Sequence, residues 1–133
     1  MSSETVPRCF RTWFYAAAIY NALWGVAACL FPATLAQRVG LEGITHPALV
    51  QVIGMMVGVY AIGYYLLARD PERYSGFVWI GLLGKLLGPL GFVLHAIQGT
   101  LPWQFGWVVL TNDLLWWPAF GLFAWRHARR PLG

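Results

Sequence analysis

The sequence predicts an all-α integral membrane protein, a four-helix bundle with both termini in the cytoplasm, and three observations carry that prediction. Of 133 residues, 59% are hydrophobic and 11% charged, against about 25% charged in an ordinary soluble domain. The apolar residues gather into four runs of about 20, each long enough to cross a hydrocarbon core of roughly 30 Å as a helix. All basic residues but one lie outside those runs, and they divide seven to one between the two sides.

The runs form a single membrane domain over residues 1–133. The first, 12–31, follows Arg8 and Arg11 and stops at Pro32. An outer segment, 32–47, places Leu35 and Val39 opposite Gln37, Arg38 and Glu42, the pattern of a brief amphipathic turn in the outer interface. The second run, 48–68, ends at the charged turn Arg69-Asp70-Pro71-Glu72-Arg73. The third, 75–97, fades at Gln98, Gly99 and Thr100, and the fourth, 105–125, ends at Arg126. Runs of this length, without alternation and rich in Leu, Ala and Gly, do not fit the short alternating strands of a barrel. As helices they satisfy their backbone hydrogen bonds internally, as lipid requires. Trp13, Trp103, Trp107 and Trp125 fall near predicted span ends, where an aromatic belt sits.

Orientation follows from the arginines. Arg8, Arg11, Arg69, Arg73, Arg126, Arg129 and Arg130 share one side, Arg38 lies on the other, and the positive-inside rule makes the first side cytoplasmic. The basic tail is therefore a topology signal, and no nucleic-acid partner is expected. Val26-Ala27-Ala28-Cys29 loosely matches a lipoprotein cleavage box, but a run of this length carrying Asn21 and Trp24 is long and bulky for a removable segment, so the first helix is expected to stay. Cys9 and Cys29, at opposite ends of that helix, stand about 30 Å apart at about 1.5 Å per residue and cannot form a disulfide.

Small residues indicate where helices meet. Gly81, Gly84, Gly88 and Gly91 line one face of the third helix, and Gly54 and Gly58 form a small-xxx-small pair on the second. Pro89 removes a backbone donor one turn after Lys85 and is expected to bend that helix.

Lys85 and Asp113 are the chemical clue. Each lies near the middle of an apolar run, where a charge costs roughly 2.5 to 3.5 kcal/mol even on lenient insertion scales. Both should face the bundle interior, linked directly or through Asn112 or a water, with Asn21 and Gln51 as further members of a polar layer. Tyr60, Tyr64, Trp116, Trp117 and Phe120 supply aromatic walls. Three readings follow. In the first, the chain is a binding or accessory subunit holding an apolar or lipid-like ligand over a structural Lys85–Asp113 layer. In the second, Asp113, with Lys85 beside it, transfers a proton to an apolar substrate held between Trp116, Trp117 and Phe120; for a bound ligand in general the candidate contacts are Asn21, Tyr60, Tyr64, Asn112, Trp116, Trp117 and Phe120. In the third, the carboxylate belongs to a proton or solute pathway.

Other chemistry is thin. His46 and His95 lack a nearby carboxylate or thiolate and make a poor metal site, while His95 and His127 are placed near opposite faces and cannot share a haem. No cofactor is expected. Partners are membrane lipids and an apolar small molecule, with room for a homo-oligomer or a larger membrane complex.

The segments Gly84-Lys85-Leu86-Leu87-Gly88-Pro89-Leu90-Gly91-Phe92, Leu101-Pro102-Trp103 and Asn112-Asp113-Leu114-Leu115-Trp116-Trp117-Pro118 resemble a group of small, uncharacterised bacterial inner-membrane proteins with four helices. That resemblance implies a multi-pass location in the inner membrane and no established reaction. In size and span count the chain is also similar to DoxX-like proteins. Asn112, Trp116 and Pro118 give a weaker likeness to sterol-isomerase-type membrane proteins, without the acidic residues those carry on other helices.

Overall fold

The computed structural model describes residues 5–43 and 46–129, so Arg130 lies outside the described residues. Among them the secondary structure is helical throughout: α1 (Arg8–Leu30), α2 (Pro32–Arg38), α3 (Pro47–Arg69), α4 (Phe77–Ile97), a 3-10 turn (Trp103–Phe105), α5 (Gly106–Asn112), a second 3-10 turn (Leu114–Trp116) and α6 (Trp117–His127). Three of these, α1, α3 and α4, are long and apolar enough to cross a membrane, with mean hydropathy 1.3, 1.7 and 1.8.

Prolines set several boundaries. Pro7 precedes the first turn of α1, Pro32 opens α2 and Pro47 opens α3, each where a missing N–H costs no helical bond. The first helix accordingly begins at Arg8, so Arg8 and Arg11 lie within it and do not precede it. Arg11 donates from Nε to the Ala68 carbonyl at 2.9 Å and from its terminal nitrogen to the Arg69 carbonyl, placing a cation on the open carbonyls that end α3.

The fourth run is not the single helix expected over 105–125. It breaks at Asp113, whose backbone sits at φ −119° and ψ −64°, into two short helices joined by a 3-10 turn. Pro118, in the first turn of α6, explains the break: it offers no N–H to the Leu114 carbonyl, and its ring crowds the preceding turn. A hydropathy profile registers none of this, because the residues around the break are apolar apart from Thr111, Asn112 and Asp113.

Helices α1 and α3 pack along most of their lengths. Gly25 and Gly54 lie where the two backbones approach closely: a Cβ on Gly25 would stand 2.8 Å from the Gly54 carbonyl oxygen and 3.0 Å from Gly58 Cα. One end of the molecule holds an aromatic core of Phe10, Phe14, Tyr64, Trp116, Phe120 and Phe123. Its rings meet edge to face, as in Phe14–Phe123 at 4.9 Å and Tyr64–Phe120 at 5.1 Å. The same end gathers the start of α1, the end of α3, the start of α4 and the end of α6, because Phe10 packs on His127 and Trp79 Nε1 donates to the Ala128 carbonyl. A smaller core of Ala28, Ala36, Leu41 and Val50 lies at the opposite end, where Leu35 and Val39 of the α2 region pack on it and Gln104 Nε2 donates to the Arg38 carbonyl. The amphipathic turn read in 32–47 is thus a short helix closing that end.

The outer surface is apolar along the long helices. Ile19, Leu23 and Val26 on α1, Met55, Val59 and Ile62 on α3, and Leu83, Leu87, Leu90 and Leu94 on α4 are all exposed. Large apolar side chains exposed along three long helices are the kind of surface that a water-facing monomer rarely carries.

Candidate functional site

Between the two cores the helices leave a cavity of about 410 Å³, lined by Asn21, Ile53, Met56, Val57, Tyr60, Tyr64, Gly81, Gly84, Lys85, Gly88, Asn112 and Asp113. Its position follows from the chain. On α1 the large core ends at Ala18 and the small one begins at Ala28, with Asn21 between; on α3, Val50 belongs to one core and Tyr64 to the other, with the lining residues between them. The exposed lining residues are Ile53 and Met56 on α3 and Gly84 and Gly88 on α4, so the mouth lies sideways between those helices.

The inner end is polar and deeply buried: Asn21 is 4%, Lys85 3% and Asp113 7% exposed. Lys85 and Asp113 do not form a direct ion pair. Lys85 Nζ instead donates to the backbone carbonyl of Asn112 at 2.5 Å, and Asn112 Nδ2 donates to Asp113 Oδ1 at 3.1 Å. Asn112 therefore links the two charges, its carbonyl receiving the cation and its amide serving the anion. The ammonium also lies near three rings, 5.4 Å from the centre of Tyr64, 5.6 Å from Phe120 and 5.9 Å from Trp116, distances at which a ring face attracts a cation.

The broken helix makes this arrangement available. Trp116 N turns to the Asp113 carbonyl at 3.2 Å, a 3-10 bond, and so releases the Asn112 carbonyl that a continuous helix would have occupied. The Thr111 carbonyl accepts from Trp116 Nε1 at 2.9 Å. Irregular backbone at this depth is tolerated where side chains replace the lost bonds, and here a lysine and an indole do so.

Pro89 has the matching consequence on α4. It lacks the N–H that would bond the Lys85 carbonyl four residues earlier, and Trp117 Nε1 donates to that carbonyl at 2.9 Å. Trp117→Phe should therefore lower stability by about 1 to 3 kcal/mol, the cost of an unsatisfied buried carbonyl. Adding Pro89→Ala, whose N–H can take the same carbonyl, should restore most of the loss. Thermal unfolding of the two variants in detergent checks this, and a double variant no more stable than Trp117→Phe would contradict it.

Of the candidates read from the sequence, Asn21, Tyr60, Tyr64, Lys85, Asn112 and Asp113 meet at the cavity. Trp116 and Phe120 flank the ammonium from within the aromatic core and do not line the cavity, while Trp117 acts from outside it through the Lys85 carbonyl. Gln51 is not in the polar layer: it is exposed and donates to the Cys29 carbonyl at 2.9 Å. Sequence reading missed Ile53, Met56 and Val57 as wall residues, since three apolar side chains on a predicted span carry no distinguishing mark. The role of Gly88 was visible only as packing. A Cβ there would come 2.5 Å from Asp113 Oδ2, so the glycine makes room for the carboxylate.

The histidines have local work. His46 Nδ1 accepts from Ala48 N at 3.2 Å at the start of α3, and His95 Nδ1 bonds Thr100 Oγ1 at 2.8 Å. Among the described residues no group of three His, Cys, Asp or Glu could hold a metal ion.

No protein-family model matches this chain, and neither a curated protein nor a solved structure does. Function is therefore read from the cavity.

Proposed function

We propose that this chain is a multi-pass protein of a bacterial inner membrane that binds an apolar, lipid-like molecule in the cavity beneath Lys85 and Asp113. The observation carrying this reading is the combination of a sideways mouth among exposed apolar residues with a buried polar inner end. A volume of about 410 Å³ falls within the range of small-molecule sites. In a bilayer such a mouth faces acyl chains, so a ligand dissolved in the membrane enters without crossing water. In this reading the chain makes four spans, the fourth discontinuous, with the cavity near mid-depth and the arginine-rich end where α1 begins and α6 ends facing the cytoplasm.

Native mass spectrometry of the detergent-purified protein tests the binding reading. A retained small apolar species is expected, and Gly84→Leu should abolish its retention. Gly84 suits this role because its Cβ would meet nothing closer than the Tyr60 hydroxyl at 3.9 Å, so the new side chain fills space without displacing backbone. An empty parent protein, or equal retention by the variant, would overturn the reading.

Orientation has its own test. After replacement of Cys9 and Cys29, a membrane-impermeant thiol reagent added outside should label a cysteine at Thr100 and spare one at Ser75. The reverse pattern would invert the proposed topology.

A further inference from the structure

The hydrogen-bond inventory of the cavity points to the head group of its ligand, given that the cavity binds an apolar molecule at all. The Asn21 and Asn112 side-chain oxygens are buried and have no hydrogen-bond partner among the described residues. For Asn112 the identity of that oxygen is set by its neighbour: an ionised carboxylate only accepts, so the nitrogen faces Asp113 Oδ1 and the oxygen is left over. Asp113 Oδ2 lies over Gly88, on the cavity lining. The ammonium of Lys85, by contrast, is already engaged by the Asn112 carbonyl and by the faces of Tyr64, Phe120 and Trp116. The polar groups left for a ligand therefore include both acceptors, on Asn21, Asn112 and Asp113, and donors, on the Asn21 amide nitrogen and the hydroxyls of Tyr60 and Tyr64.

Charge narrows the choice further. The inner end holds one cation and one anion, and a ligand bearing its own charge would unbalance them in a medium where burying a charge is costly. A carboxylate or phosphate would also bring acceptors alone and leave Asp113 Oδ2 unmet. A hydroxyl fits, because one atom donates to Asp113 Oδ2 and accepts from the Asn21 amide or from the hydroxyls of Tyr60 and Tyr64, residues that line the same cavity.

We propose that the cavity selects a neutral, single-chain amphiphile with a hydroxyl head group, the hydroxyl seated among Asn21, Asn112 and Asp113 and the chain leaving between Met56 and Gly84. Leaving a buried acceptor unmet costs enough that a ligand of equal length without the donor should bind about tenfold more weakly or worse.

The test compares three probes of equal chain length on the full-length protein in phosphatidylcholine nanodiscs: hexadecanol, hexadecyl methyl ether and hexadecanoate, each titrated at the same mole fractions of lipid. The measured quantity is the saturable rise in thermal unfolding temperature, since a ligand that binds only the folded state stabilises it by mass action. Hexadecanol should give half its maximal rise at a mole fraction at least tenfold below that of the ether or the carboxylate. Asn21→Leu, which keeps the volume and removes the amide, should reduce the preference for alcohol over ether. An ether that matches the alcohol, or a carboxylate that exceeds it, overturns the hydroxyl assignment while leaving the cavity a binding site. If no probe shifts the parent protein and Gly84→Leu behaves identically, the binding reading falls as well.

Discussion

Lys85→Met and Asp113→Leu, made singly, should each lower stability by about 3 kcal/mol or more, whereas the double substitution should recover much of that loss. Either single change leaves a charge buried to the extent seen here, 3% exposed for the lysine and 7% for the aspartate, without its counter-charge. The coupling runs through Asn112, whose carbonyl and amide bridge the pair, and not through direct contact. The double variant places two apolar side chains where the surroundings are already Tyr64, Trp116 and Phe120, so the site can close around them. Thermal unfolding in detergent across the four proteins gives the interaction energy. Strictly additive losses would show that the two charges act independently and that the bridging amide transmits nothing.

Gly25→Leu should be comparably severe, by about 3 kcal/mol, because added bulk at a packed contact forces backbone to move. Even the first carbon of that side chain would lie 2.8 Å from the Gly54 carbonyl oxygen and 3.0 Å from Gly58 Cα, and neither neighbour is a flexible side-chain tip. Helices α1 and α3 would have to separate where Gly25 lets their backbones approach closely. Gly121→Ala is the control, since a Cβ there meets nothing within 4 Å. That substitution should be neutral or stabilising by up to about 1 kcal/mol, the helix-propensity difference between the two residues. Equal destabilisation by both variants would mean that the loss comes from glycine removal in general and not from the α1–α3 contact.

The amino-acid sequence by itself determined the helical class, three long apolar helices and the segregation of arginine to the ends, because hydropathy and charge are properties of individual residues summed over a window. It also singled out Lys85, Asp113, Asn112 and Asn21, since a polar group in an apolar run is costly wherever the run folds. Tertiary structure decided the rest. Pro118 was legible, but whether its run would bend, break or continue depended on whether other side chains could take up the released carbonyls, and Lys85 and Trp116 do so from positions fixed only by packing. The same holds for Trp117, which reads as one more aromatic wall residue until its indole is found on the carbonyl that Pro89 left open. Met56 and Gly88 gained their roles when α3 and α4 were set apart by enough to leave a cavity. Spacing along one helix gives the face a residue occupies, but the distance between two helices is set by the bulk of every side chain between them, and that quantity exists only in the folded chain.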